Sequence, residues 1–421
     1  MNNFKQTDIG LIPDDWDVKK LSEASDIIMG QSPPSSTYNS NSNGLPFYQG
    51  KTDFGNIYPT PRIWCISPSK IAEKNDILIS VRAPVGPTNL SFEKSGVGRG
   101  LSAIRARENH YLYIYYYLKK IEKEIEKLGT GSTFKAINKS QLYNIKIPLP
   151  PLPEQKKIAY VLSKIQQAIE IQEKIIKTTQ ELKKALMQKL FTEGLNGEPQ
   201  KQTEIGLIPE SWEVVELGNI VTKPIKDGVH QTPTYVQSGI PFITAKDIIN
   251  DEISFNNCKF ISFEEHDRLY QKVNPEKNDI LLTKVGTIGN VAIVRDDRPF
   301  SIFVQVALIK PNHSVINPLY LKYCLLSDKI QSEILRTSGR STMKFIGVQK
   351  IAKLLIPLPS LSEQKKISTY LELFSDLINN KLKFVESLKQ LFNSMLNNLM
   401  TGQIRVKDIE FELEETAEAV D

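Results

Sequence analysis

The sequence predicts an α+β protein built as an internal repeat. Two similar globular units, each followed by a long helix, should have their helices close on each other as an antiparallel coiled coil about a pseudo-two-fold axis. Three observations predict this. TDIGLIPDDW at 7–16 returns as TEIGLIPESW at 203–212, and IPLPPLPEQKKIA at 147–159 returns as IPLPSLSEQKKIS at 356–368. The first pair is offset by 196 residues and the second by 209, so the frame is kept while the segment between changes length. Each second motif opens a run with apolar residues at alternating spacings of four and three, the signature of a heptad seam.

The expected organisation is a first unit at 1–152, a first helix with its connector at 153–196, a second unit at 197–359, a second helix at 360–406 and an acidic tail at 407–421. GLNGEPQKQ at 194–202 is a polar connector containing Gly and Pro. Pro153 before Glu154 suits a helix start. In the first helix the seam reads Ile158, Leu162, Ile165, Ile169, Gln172, Ile176, Thr179, Lys183, Leu186 and Leu190. In the second it reads Ile367, Leu371, Phe374, Ile378, Lys381, Val385, Leu388, Phe392, Met395 and Leu399. Gln172 and Lys381 are polar at matching positions, which can set register at some cost in stability. The chain passes through a whole unit between the helices, so an antiparallel pair is the natural closure. Each helix would be roughly 60 Å long at about 1.5 Å per residue.

Within the units, NDILISV at 75–81 and NDILLTK at 278–284 read as strands entered from a turn. GLPFYQGK at 44–51 matches GIPFITAK at 239–246. The runs 112–128 and 319–335 read as amphipathic helices, and 129–137 and 337–346 as Gly/Ser/Thr loops carrying a base.

These segments, in this order and in duplicate, resemble the specificity subunits of type I restriction-modification systems. The resemblance rests on IGLIPxxW opening each half, SVRAPVG at 80–86, TKVGTIGN at 283–290, GSTFK at 131–135, the twin helix entries and LMTGQIRV at 399–406. It covers essentially the whole chain, with both halves present, and the tail after Val406 is the least family-like part. It implies two target recognition domains, each reading half of a bipartite site in double-stranded DNA. It also implies two helices that act as a ruler and dock two modification subunits. Those partners bind S-adenosylmethionine and methylate adenine, and restriction subunits add ATP-driven translocation and cleavage. The resemblance assigns no cofactor to this chain.

Composition agrees with such a part. Net charge is +5, but 408–421 holds seven acids and no bases, which leaves +12 on the rest. A basic body suits a nucleic-acid partner. No apolar run approaches the roughly 20 residues of a membrane span. Cys65, Cys258 and Cys324 are far apart with no CxxC pair, which argues for a reducing cytoplasm and against a zinc or disulfide framework. There is no GxxxxGK[ST] phosphate loop. GVGRG at 96–100 lacks the GxGxxG spacing, and the resemblance places it in the core of the first recognition domain. SPPS at 32–35 has no aromatic to stack on a flipped base, and the four histidines stand alone, so catalysis is not expected.

DNA readout needs side chains at base edges and cations on phosphates. The candidates are Gln31, Ser32, Lys51, Arg82, Arg99 and Lys135 in the first half, and Lys226, His230, Lys246, Lys284, Arg340 and Lys344 in the second. Lys51 matches Lys246, Lys135 matches Lys344, and Arg82 and Lys284 flank equivalent turns. Gln31 and Ser32 face the differently worded Asp227, Gly228 and His230. Matching lysines suit phosphates, which carry no sequence information. Divergent loops suit two different half-sites. The competing readings are a coiled-coil scaffold whose heads bind protein, and a self-sufficient methyltransferase.

Overall fold

The computed structural model describes residues 3–130, 135–338 and 344–409. The chain forms two compact units, one from 1–173 with 383–421 and the other from 174–382. Each long helix therefore lends one half to each unit. The first runs Leu152–Glu193 and the second Leu361–Met400.

The first unit holds a four-stranded antiparallel sheet in the order Thr88–Leu90, Ile77–Ser80, Leu101–Ala106, Ser25–Met29. A five-stranded sheet runs beside it, with Ser95–Val97 parallel to Leu45–Tyr48. The second unit repeats the plan. Its first sheet runs Lys226–Asp227, Val306–Ile309, Ile280–Thr283, Val291–Ile293, and its second has Ser301–Ile302 parallel to Ile240–Ile243. The expected strands at 75–81 and 278–284 form as Ile77–Ser80 and Ile280–Thr283. Asn75 and Asn278 ahead of them turn the chain at φ 71° and 72°, a region Asn tolerates better than most residues. Ile280 and Leu282 pack with Tyr320 and Leu321, while Leu281 packs with Ile243 and Ile302. Both faces of this strand are covered, which is why it reads as an unbroken apolar run rather than an alternating one.

The helices expected at 112–128 and 319–335 are each broken in two, Tyr111–Lys120 with Glu122–Leu128 and Pro318–Leu326 with Asp328–Thr337. At Ser327 the backbone turns extended (φ −64°, ψ 145°), so the amphipathic pattern continues across a corner. The second unit adds a hairpin, Ile248–Ile249 with Glu252–Ile253, and a helix Phe263–Tyr270.

The twin sequence motifs meet at one point in each unit. Trp16, fully buried, donates its indole N–H to the Glu154 carboxylate at 3.2 Å, and Trp212 does the same to Glu363 at 3.1 Å. The neighbouring Gln155 accepts from the His110 backbone at 2.9 Å, as Gln364 accepts from Asn317 at 2.7 Å. The IPxxW and EQ motifs are thus two halves of one joint between the head of a unit and the start of its helix. Arg405 completes the joint in the first unit, pairing with Glu154 at 2.7 Å and Asp15 at 2.7 Å. In the second unit the Leu195 backbone N–H, at 3.0 Å from Glu363, takes that place.

Inside each unit the helix halves run antiparallel. In the first, Glu173 pairs with Lys389 at 2.7 Å and Glu154 with Arg405. In the second, Leu195, two residues past the end of its helix, meets Glu363 near the start of the other. Ile158, Leu162, Ile169 and Leu190 are buried on the first helix, as are Ile367, Leu371, Ile378, Phe392 and Leu399 on the second. Ile165, Leu186, Phe374 and Leu388 are half-buried. Met187, Phe191, Leu396 and Met400, outside the heptad count, are buried too, Met187 and Phe191 because they pack into the core of the second unit.

The second unit also grips its helix through charge. Arg295 bridges Glu252 and Glu372, each at 2.6 Å, and Tyr323 donates to Glu372 and lies 2.7 Å from Ser375. The same position in the first unit is Tyr116, whose ring meets Phe392 edge-on at 5.9 Å.

Candidate nucleic-acid interface

Four backbone hydrogen bonds recur in the two units and establish which residues are equivalent. Gly30 N–H donates to Leu101 and Gln31 N–H to Val97, at 3.0 and 2.9 Å. Gly228 donates to Val306 and Val229 to Ile302, both at 3.0 Å. Val81 donates to Gly100 and Ile137 to Val81, as Lys284 donates to Gln305 and Ile346 to Lys284. Gln31 therefore corresponds to Val229 and Ser32 to His230. Gly30 and Gly228 sit where two chain segments nearly touch. A Cβ there would lie 2.1 Å from the Gly98 carbonyl and 2.3 Å from the Phe303 carbonyl, so only glycine fits.

This network gathers many of the sequence candidates. In the first unit Gln31, Ser32, Arg82, Arg99 and Lys135 share one loop cluster. The Arg99 N–H donates to the Ser32 hydroxyl at 3.3 Å, and Arg82 bridges Ala136 beside Lys135. Gln31, Arg82, Arg99 and Lys135 are exposed, and Ser32 is half-buried. Gly96, Gly98 and Gly100 of the GVGRG run are buried, and only Arg99 emerges from it. In the second unit His230, Lys284 and Lys344 occupy the matching cluster, with His230 and Lys344 exposed. Arg340 lies outside the described residues.

Three expectations need correction. Lys284 does not present its charge outward. Its side chain is 3% exposed, its Nζ is 2.9 Å from Asp227 and lies 4.6 Å from the Phe345 ring centroid. Its equivalent is Val81, not Arg82; the partner of Arg82 is Val285, since the matching bridges are Arg82 to Ala136 and Val285 to Phe345. Next, Lys51 and Lys246 align in sequence but not in space. Both lie in turns closed by an aspartate: Asp53 accepts from Gln49 at 2.7 Å, and Asp247 accepts from Thr244 at 2.8 Å. Lys51 is the first residue of its 3₁₀ turn and Lys246 the second. At three residues per turn they point about 120° apart. The linker from the strand is one residue longer in the first unit, which a sequence match cannot show. Both lysines are exposed. Last, Lys226 leaves the cluster. It alternates with Asp227 on a strand, so it faces the other way, toward an open groove shared with Lys223, Lys272 and Lys310.

Phe345 belongs to the cluster but is not among the candidates, and Asp227, named only as part of the divergent loop, acts in it by pairing with Lys284. Phe345 is half-exposed next to Lys344, which was the only signal available; the burial of Lys284 was not visible in the sequence.

With this geometry in hand, comparison with known proteins is direct. The family described as the type I restriction modification DNA specificity domain matches residues 13–181 and again 209–387. The chain belongs to this family, whose role is recognition of DNA sequence. Among curated relatives, the type I restriction enzyme MjaVIII specificity subunit of Methanocaldococcus jannaschii is 27% identical over 419 residues, covering 97% of each chain. The putative type I restriction enzyme MjaX specificity subunit of the same organism is 48% identical over 194 residues, 45% of this chain and 46% of that one. The crystal structure of the type I restriction-modification S subunit from M. genitalium superposes with a TM-score of 0.63 at 18% identity, covering 91% of this chain and 96% of that one. That likeness shows the shared fold. No helix among the described residues is long and apolar enough to cross a membrane.

Proposed function

We propose that this chain is the sequence-reading, non-catalytic subunit of a type I restriction-modification complex, and works in the cytoplasm. Each unit reads one half of a bipartite site in double-stranded DNA. The paired helices set the spacing of the halves and carry two modification subunits, which bring S-adenosylmethionine. Restriction subunits bring ATP-driven translocation and cleavage. The observation that carries this reading is that the same Trp–Glu–Gln joint recurs in both units, while their loop clusters differ at several equivalent positions. Arg99 stands where the second unit has Val304, Ser32 where it has His230, and Ala136 where it has Phe345. A constant frame with variable tips is what two different half-sites require.

The helices support the partner assignment. Ile171, Ile175 and Leu182 on the first, and Leu373, Leu377, Phe384 and Leu391 on the second, are exposed apolar residues. They recur at steps of four and seven, so each set forms a stripe on its helix. Exposed apolar stripes of this kind mark a protein interface, and the modification subunits are the partners that fit.

The test is methylation of a site library by the complex assembled from this chain and its modification subunits. Replacing 17–146 with the matching segment of another family member should change one half-site and leave the other. A complex that binds no DNA in a salt-dependent gel shift would favour the scaffold reading.

A further inference from the structure

Phe345 is a large apolar side chain left 50% exposed in the middle of a polar loop cluster. It is not loose. Its N–H donates to Ser338 at 3.2 Å, it bridges Val285, and the next residue, Ile346, donates to Lys284 at 3.0 Å. Its ring rests on Lys284, whose ammonium lies 4.6 Å from the ring centroid and 2.9 Å from the Asp227 carboxylate. A lysine that is only 3% exposed needs a counter-charge, and gains from lying over an aromatic face. Asp227, Lys284 and Phe345 thus form a stacked pedestal with the ring at its top. Among the described residues the first unit has no such pedestal, because Val81 and Ala136 stand at the positions of Lys284 and Phe345.

The ring's setting suits DNA. Lys344 beside it is exposed, and His230, 3.5 Å from Asp227, has a side chain 77% exposed. A rigid aromatic flanked by groups that suit phosphates is built for apolar contact with a base, such as the thymine methyl in the major groove or a base step. We infer that Phe345 is a base-reading residue of the second unit, with Lys284 and Asp227 as the residues that position it. This deepens the DNA-recognition reading proposed above and rests on it.

The experiment uses the complex of the full chain with its modification subunits, on duplex libraries randomised one position at a time. If the wild-type complex selects no bipartite sequence, the DNA-recognition reading itself fails. If it does select one, Phe345→Ala should lower discrimination about tenfold at one or two adjacent positions of a single half-site. The other half-site and the salt slope should not change. Phe345→Leu, which keeps apolar volume, should restore part of the preference and also serves if the alanine variant fails to assemble. The double variant Lys284→Met with Asp227→Asn removes the charged pedestal without leaving a lone charge. It should weaken preference at the same position, while overall affinity for non-specific DNA holds. Full preference retained in both Phe345 variants would overturn the inference. So would a uniform loss on all sequences. A pedestal variant that shifts a different position, or none, would remove Lys284 and Asp227 from the positioning role.

Discussion

Two lysines illustrate how much depends on a single side chain's surroundings. Lys344 is exposed, whereas Lys284 is locked between Asp227 and Phe345. If Lys344 neutralises one phosphate, Lys344→Ala should weaken binding on all sequences and reduce the salt slope by about one. Lys284→Met alone should leave that slope unchanged. It should cost stability on the order of 3 kcal/mol, since it strands a largely buried carboxylate; titration with urea would read this. His110 offers a test by pH. Burial, helped by Lys156, pulls its pKa down to about 4. The unfolded chain, with an ordinary value near 6.5, then takes up this proton first, so stability present above that pH falls as pH drops toward 4. Melting temperature should decline between pH 6.5 and 5, ahead of most carboxylates. His110→Gln should flatten that part of the curve; an unchanged slope would assign it to other groups.

At the scale of elements, the joint between unit and helix is the feature that local sequence announced most clearly. Trp16 and Glu154 stand 138 residues apart, yet IPxxW and EQ each recur as short, legible motifs. Their partnership was not legible, because nothing local says that an indole seeks that carboxylate. Arg405 is the more telling case. Glu154 is 2% exposed and depends on it. Arg405→Ala should cost about 3 kcal/mol, and Glu154→Gln with Arg405 kept about 1 kcal/mol, since an amide oxygen can still accept from Trp16. Comparable losses from both changes would show that the charge pair adds nothing beyond the hydrogen bond. The charged grip of Arg295 on Glu372 was equally silent in the sequence, because it joins a strand end, a hairpin and a helix that only the fold brings together.

For the whole molecule, the first unit contains both ends of the described chain. Gly402 packs against Pro13 and Trp16, and Arg405 reaches Asp15. Chain ends held this close tolerate rejoining. A permutant opened at Asn196–Gly197, with Ile409 joined to Asn3 by a short flexible linker, should fold and direct methylation to the same site. Gly197 has no neighbour within 4 Å of a Cβ position, so the opening disturbs little. Permutants that fail to fold with several linker lengths would count against this closure. The spacing of half-sites is the second test at this scale. Seven residues added after both Gln172 and Lys381 keep the heptad phase and add about 10 Å of helix. The preferred spacer should then grow by two to four base pairs, at about 3.4 Å each. A stable, active variant with an unchanged spacer would assign the spacing to the partner subunits.

What the sequence by itself determined is the frame: two α+β units, two long helices, and the duplicated motifs that tie them. These are written in local terms, as heptad spacing, Asn-led turns and proline-stiffened helix entries, and local terms survive without knowledge of the fold. What only the tertiary structure decided is which candidates are free to act. Lys284 is buried because Asp227 and Phe345, distant in sequence, converge on it. Lys51 and Lys246 part company because one extra linker residue rotates a 3₁₀ turn by about a third of a circle. Lys226 faces away because adjacent strand residues point to opposite sides. Exposure, direction and partnership are set by packing between segments far apart in the chain, and no reading of single segments contains them.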